Sequence, residues 1–181
     1  TLIALLAALA TKNHFRGIGG IEAMINAPLI LPEVVVSVAT LILFVALGLN
    51  LGLGAMIPAH IAFCTPFAYL PIKARLEGMN KSFEEAAQDL YANRFQTFRF
   101  VTLPLLWPGI LAGFTLAFVT SLDDFLTSFF LSGPGSTTLP VYIFSAIRSG
   151  ISPEINAIST VMLVISVALV VLSFVLSRAR R

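Results

Sequence analysis

The chain has 181 residues, of which 57% are apolar and 11% charged, with a formal net charge of +2 and a mean hydropathy of +0.94. Soluble domains carry about 25% charged residues, so composition excludes an ordinary soluble domain and points to an all-α integral membrane protein. The single Cys64 excludes an internal disulfide and a cysteine metal site, and two histidines 46 positions apart form no metal constellation.

In chain order, residues 1–11 are apolar but too few to cross about 30 Å of hydrocarbon. They lack an initiating Met and a basic leading region, so they are not a signal peptide. They read as the tail of a span cut by the fragment boundary, with a first N-terminal helix missing. Residues 12–22 read as a loop kept flexible by Gly17, Gly19 and Gly20. The apolar run 25–48 contains Pro28, Pro32 and Glu33, and its prolines predict a bent or late-starting helix. The glycine-rich turn 49–54 makes the spans 25–48 and 55–72 antiparallel neighbours. The run 55–72 carries His60, Cys64, Pro58, Pro66 and Pro71 and reads as an irregular helix. A polar interval, 73–102, precedes the span 103–131. That span starts at Leu103-Pro104, is interrupted at Pro108-Gly109 and contains Asp123-Asp124. Residues 132–153 read as a loop with turn chemistry in GPGSTTLP. The last span, 154–177, opens on Ser152 as N-cap, Pro153 at N1 and Glu154 in the first turn, and stops at Arg178, Arg180 and Arg181. With the partial first run this makes about five spans in one transmembrane domain covering 1–181.

The alternation of spans puts Lys12, Arg16, Lys73, Arg75, Lys81, Arg94, Arg99, Arg178, Arg180 and Arg181 on one side. That is ten of the eleven basic residues, with only Arg148 opposite. The positive-inside rule makes the ten-residue side, including the C-terminus, cytoplasmic.

The stretch 82–104 is the one long polar interval. Ser82 and Glu85 have capping-box spacing and predict a helix start. Phe83, Ala86, Ala87 and Leu90 fall on one face, and Glu84, Gln88 and Asp89 mostly on others. A capped helix between two spans offers a surface to something in the water.

Glu33, Asp123 and Asp124 are the informative acids. A mid-membrane carboxylate costs roughly 2.5–3.5 kcal/mol on the insertion scale, so such groups face a bundle interior or a water-filled path. No Lys or Arg lies inside a span. Compensation falls to water, protonation, a partner subunit or a cationic solute. One reading is a cation pathway; the other is that Asp123 and Asp124 sit hydrated near the outer interface. His60 is a weaker path candidate, since a lone histidine in a span more often bonds a neighbouring helix. No Walker-type G-x-x-x-x-G-K-[ST] is present. Neither His14 nor His60 has a recognisable nucleophile spacing to a serine, and no residue is assigned a catalytic role.

Glu85-Ala86-Ala87, three residues, Tyr91, nine residues, then Val101-Thr102-Leu103-Pro104 resembles the EAA signature of ABC importer permeases. The departure is Tyr91, where those permeases usually have glycine. Pro32-Glu33, His60-Ile61, Phe63-Cys64, Pro66-Phe67, Arg75-Leu76, Gly78, Ser121, Asp123-Asp124, Gly133-Pro134, Ser152-Pro153-Glu154 and Asn156-Ala157 are similar to the C-type permease subunit of bacterial spermidine/putrescine importers. The resemblance implies a type I ABC importer permease (MetI-like) helical bundle of six spans in full, in the bacterial plasma membrane. It implies a second permease subunit, usually a related one, a pair of cytoplasmic ATPases that hold the ATP and Mg, and a periplasmic or lipid-anchored binding protein. No cofactor is expected in this chain and no nucleic-acid partner. Residues 82–100 would be the coupling helices, with Ser82, Glu84, Glu85, Ala86, Ala87, Asp89, Leu90, Tyr91, Leu103 and Pro104 at the ATPase contact. The solute would be a polyamine. Another solute on the same fold (ferric ion, thiamine, sulfate, molybdate or another organic molecule), or a secondary transporter or channel, stays open.

Overall fold

A computed structural model describes residues 1–12, 15–150 and 153–178. His14, the expected N-cap Ser152, and Arg180 and Arg181 lie outside the described residues. The described residues form ten α-helices and no strand. These are α1 (Leu2–Ala10), α2 (Ile18–Ile30), α3 (Glu33–Ala46), α4 (Leu53–Glu77), α5 (Ser82–Asp89), α6 (Arg94–Thr97), α7 (Leu103–Asp123), α8 (Leu126–Leu131), α9 (Leu139–Ser149) and α10 (Pro153–Arg178). A π-helical turn, Phe98–Thr102, joins α6 to α7.

Helix α4 is the hub. It packs chiefly against α7 on one side and α1 on the other, with α2 and α8 also touching it, while α10 lies outside α7. The core of Phe63, Cys64, Ala68, Tyr69 and Ile72 from α4 closes against Ala4 and Ala8 of α1 and Ala117 of α7. Small residues let the backbones meet, as in other membrane helix pairs. A Cβ on Gly113 would lie 2.6 Å from the Ala68 carbonyl oxygen, and one on Gly109 3.1 Å from that of Pro71.

Three described helices are long and apolar enough to cross a membrane: Leu53–Glu77, Arg94–Asp123 and Pro153–Val175. A fourth crossing exists if α2 and α3 count as one bent span. The bend expected in the run 25–48 is present as a break between two helices that meet at 109°; several other expectations are corrected. Leu31 and Pro32 are extended, because a residue before proline is driven out of the helical region. The glycine-rich loop is shorter than expected: Gly17, at φ +97, starts α2, and Gly19 and Gly20 lie inside the helix. Helix α3 packs mainly on α8 rather than on α4, and a cavity of about 270 Å³ opens between α3 and α4. The helix expected to be irregular, α4, runs unbroken through Pro58, Pro66 and Pro71, held between its neighbours. The helix through Pro108 is likewise unbroken, and the interruption falls at Asp124 instead. The expected 132–153 loop contains α9, whose Pro140 sits in the first turn.

The capping box expected at Ser82 and Glu85 does not form. Lys81 is the N-cap of α5, with no side-chain cap. Asn80 Oδ1 takes the Ser82 N–H at 3.0 Å instead, making Ser82 the first helical residue. The reciprocal box occurs one helix later: Asn93 Oδ1 accepts from the Gln96 N–H and Gln96 Oε1 from the Asn93 N–H, both at 2.9 Å. Between the two helices the chain reverses on Tyr91, the one described non-glycine with positive φ, +59. The Ala92 N–H reaches the Ala87 carbonyl and the Tyr91 N–H that of Gln88, which is the paired bonding of a Schellman C-terminus. Tyrosine thus takes the left-handed conformation usual for glycine there, at a cost of about 1 kcal/mol.

The α4–α7 contact sets a test. Gly113→Ala forces a methyl against the Ala68 backbone and is expected to destabilise by about 1–3 kcal/mol. Gly54→Ala, in open space, is expected to be neutral within about 0.5 kcal/mol. Thermal unfolding midpoints in detergent compare the two.

Candidate functional site

The acids singled out by sequence separate into different environments. Asp123 ends α7 and is exposed, while the Asp124 side chain is fully buried. Asp124 occupies the extended residue between α7 and α8. Its carboxylate accepts the Ser128 N–H at 2.8 Å, the Ser128 hydroxyl at 2.9 Å and the Thr127 N–H at 3.4 Å. Nε2 of His60, on α4, lies 3.3 Å away. Nδ1 of the same ring meets the Ser121 hydroxyl at 2.9 Å. One neutral tautomer, protonated at Nε2, satisfies both neighbours. For Asp124, the compensation that sequence assigned to water, protons, partners or solute comes instead from within the chain. His60 therefore joins α4 to both sides of the α7–α8 break.

A second bond ties in α3. Ser37 Oγ contacts Thr127 Oγ1 at 3.2 Å and donates to the Glu33 carbonyl. The 109° turn sets Glu33, half-buried at the first position of α3, close enough to Asp124 for the two carboxylates to interact. Glu33, Asp124 and His60 thus come together, and Asp123 points away. Ser37, Ser121, Thr127 and Ser128 complete the cluster. Ser121 entered the sequence analysis only through the family resemblance, and the other three were passed over, because hydroxyls within a span carry no distinguishing pattern until their partners are known. No group of three or more candidate metal ligands occurs among the described residues.

At the other end of the long helix, α5 and α6 form an exposed hairpin. Glu84 is its fixed point: its carboxylate accepts from Lys12 Nζ at 2.7 Å and from the Thr102 hydroxyl at 2.7 Å. Burial would raise the Glu84 pKa, but the Lys12 and Thr102 bonds outweigh it and hold the carboxyl below its usual 4.5. Glu85, Ala86, Asp89, Leu90 and Tyr91 are exposed, and Ala87 is half-buried. Nearby, Lys73 pairs with Glu22 and Glu77, and Arg75 Nε donates to the Leu105 carbonyl at 2.9 Å. Leu103 and Pro104 lie inside a continuous helix, directly after the π turn.

These features describe a multi-spanning helical membrane protein with one exposed helical hairpin and one buried polar cluster. A sequence profile described as "Binding-protein-dependent transport system inner membrane component" matches residues 1–181. The chain belongs to that family. It is 44% identical over 161 residues to the putrescine transport system permease protein PotI of Escherichia coli K12, covering 86% of this chain and 57% of that protein. It is 38% identical over 179 residues to the spermidine/putrescine transport system permease protein PotC of the same strain, covering 98% and 68%. It is also 38% identical to PotC of Haemophilus influenzae, covering 98% and 70%. The chain therefore spans little more than half the length of PotI.

Two outcomes test this geometry. Asp124→Ala strands His60 and Ser128 and is expected to destabilise by about 3 kcal/mol or more, against about 0.5 kcal/mol or less for exposed Asp123→Ala; denaturation in detergent reads both. Because the folded Glu84 carboxyl titrates below its usual value, its contribution is full above about pH 4.5 and is lost as pH falls further. The protection of the α5 amides against hydrogen exchange, taken relative to the intrinsic rate at each pH, is expected to fall only in that acid range. Glu84→Gln is expected to lower that protection already at neutral pH and to remove its acid dependence.

Proposed function

We propose that the chain is the transmembrane subunit of an ATP-driven importer for polyamine cations, working by alternating access with partner ATPases. What supports this most is one continuous helix. From Arg94 to Asp123 it runs 30 residues, about 45 Å at 1.5 Å per residue, from the exposed EAA-like hairpin to the acidic break. A push on the hairpin is delivered to the break by a stiff element, the rigid-body movement by which transporters alternate.

In this reading residues 82–100 are the coupling region. The hairpin's side and the C-terminus then face the cytoplasm of a bacterial plasma membrane, a placement supported by the ten basic residues that the alternation of spans assigns to that side in sequence. Glu84 and Ser82 serve the hairpin's own anchorage and start. Docking falls to Glu85, Ala86, Ala87, Asp89, Leu90 and Tyr91. The ATPase pair supplies ATP and Mg, a second, related permease subunit completes the path, and a binding protein delivers the solute.

The polyamine assignment rests on the similarity to PotI and PotC, permeases of putrescine and spermidine/putrescine transport systems, together with Glu33, Asp123 and Asp124, which have no lysine or arginine partner among the described residues. Asp124 is engaged by four donors and serves as a positioning residue beside His60. Glu33 and Asp123 are the carboxylates left to meet an ammonium group. An anionic solute would be repelled by both.

Uptake of labelled spermidine in cells carrying the whole transport system tests the reading. Glu85→Arg is expected to abolish uptake and permease-stimulated ATP hydrolysis while the permease still inserts. Glu33→Gln with Asp123→Asn is expected to lower uptake at least tenfold. Wild-type uptake in the first variant removes the coupling role, and in the second the cation path.

A further inference from the structure

We infer that the Tyr91 side chain is an anchor that enters an apolar pocket on the ATPase subunit docking at α5. This deepens, and rests on, the reading of α5 as the docking helix.

Tyr91 sits at the C-terminal reversal of α5 with φ +59, a conformation that glycine adopts without strain. Its side chain is 97% exposed, so within this chain almost no burial offsets that strain. A residue held in an unfavourable backbone region points to a function outside its own fold. The side chain is aromatic, rigid and carries one polar tip, the type that supplies concentrated contact energy at protein interfaces.

The surroundings specify the partner's chemistry. Phe83, Leu90 and Phe95 of the same hairpin are also exposed, at 54%, 82% and 68%. Glu85 and Asp89, one turn apart, are exposed too, and the basic residues of the hairpin, Lys81 and Arg94, lie beyond the ends of α5 rather than within it. A matching surface has an apolar pocket for a phenol ring and a basic rim for the two acids. An anionic lipid surface fits poorly, since it would meet those acids with like charge. A protein groove fits both features, and the side carrying most basic residues is where a water-soluble partner approaches.

The test uses the permease pair in nanodiscs, titrated with the ATPase subunit of the same transport system. Tyr91→Gly is expected to raise the permease's own thermal midpoint and to weaken ATPase binding at least tenfold. Tyr91→Phe is expected to bind within twofold of wild type. A residue that merely shaped the turn would show stability and affinity rising together on the change to glycine. Undiminished ATPase affinity in Tyr91→Gly, with binding abolished by Glu85→Arg, overturns the anchor and leaves the docking helix standing. Undiminished affinity in both overturns the docking reading itself. An unchanged thermal midpoint in Tyr91→Gly overturns the strain on which the inference is built.

Discussion

The buried carboxylate of Asp124 is the constraint on which the rest of the membrane-embedded structure turns. An unpartnered charge in this environment is prohibitively costly, so the chain must deliver donors to it. Two backbone N–H groups are available only if the helix breaks just before them, which fixes the end of α7 and the start of α8. The third donor is the Ser128 hydroxyl, and the fourth comes from His60 on the hub helix. Helix α8 is thereby locked to α4. Through Thr127 and Ser37 it is also locked to α3, whose direction is set by the Leu31-Pro32 break. A single buried charge thus determines where one helix stops and which neighbours the next one keeps.

The glycine contacts supply the complementary rigidity. Hydrogen-bonded polar groups set register at the break, while Gly109 and Gly113 bring the α7 backbone onto that of α4. The π turn and Pro104 lie at the other end, where the helix leaves this packing for the exposed hairpin. Glu84 ties that hairpin both to the start of the chain, through Lys12, and to the turn itself, through Thr102.

Much of the architecture is legible in sequence where the signal is local and large. The apolar runs are helices, the polar interval holds a short helix as expected and a second, capped one beside it, and the EAA-like spacing marks the exposed hairpin. Misjudged features depend on choices between near-equal local options or on distant partners. Asn80 outcompetes Ser82 as a helix-start acceptor, a displacement of two residues that spacing alone cannot decide. Pro108 and the three prolines of α4 resemble helix breakers, yet packing between neighbours sustains both helices. The true break at Asp124 has no glycine or proline to announce it, because its cause, His60, lies 64 positions earlier. Helix α9 is short and flanked by turn residues, so its loop-like composition hides it.

The π turn at Phe98–Thr102 has a consequence for how the two ends of the long helix are indexed to one another. It holds one residue more than a regular turn would, with the Leu103 N–H reaching back to the Phe98 carbonyl. One residue is about 100° of rotation about the axis. That added angle fixes the heading of the exposed hairpin relative to the glycine seam on α7. Ironing the turn into a regular α-helix by deleting one residue would leave every contact face intact and point the hairpin a quarter-turn or more away. The helix's two ends are therefore related as a key's bit is to its bow: by phase as much as by distance.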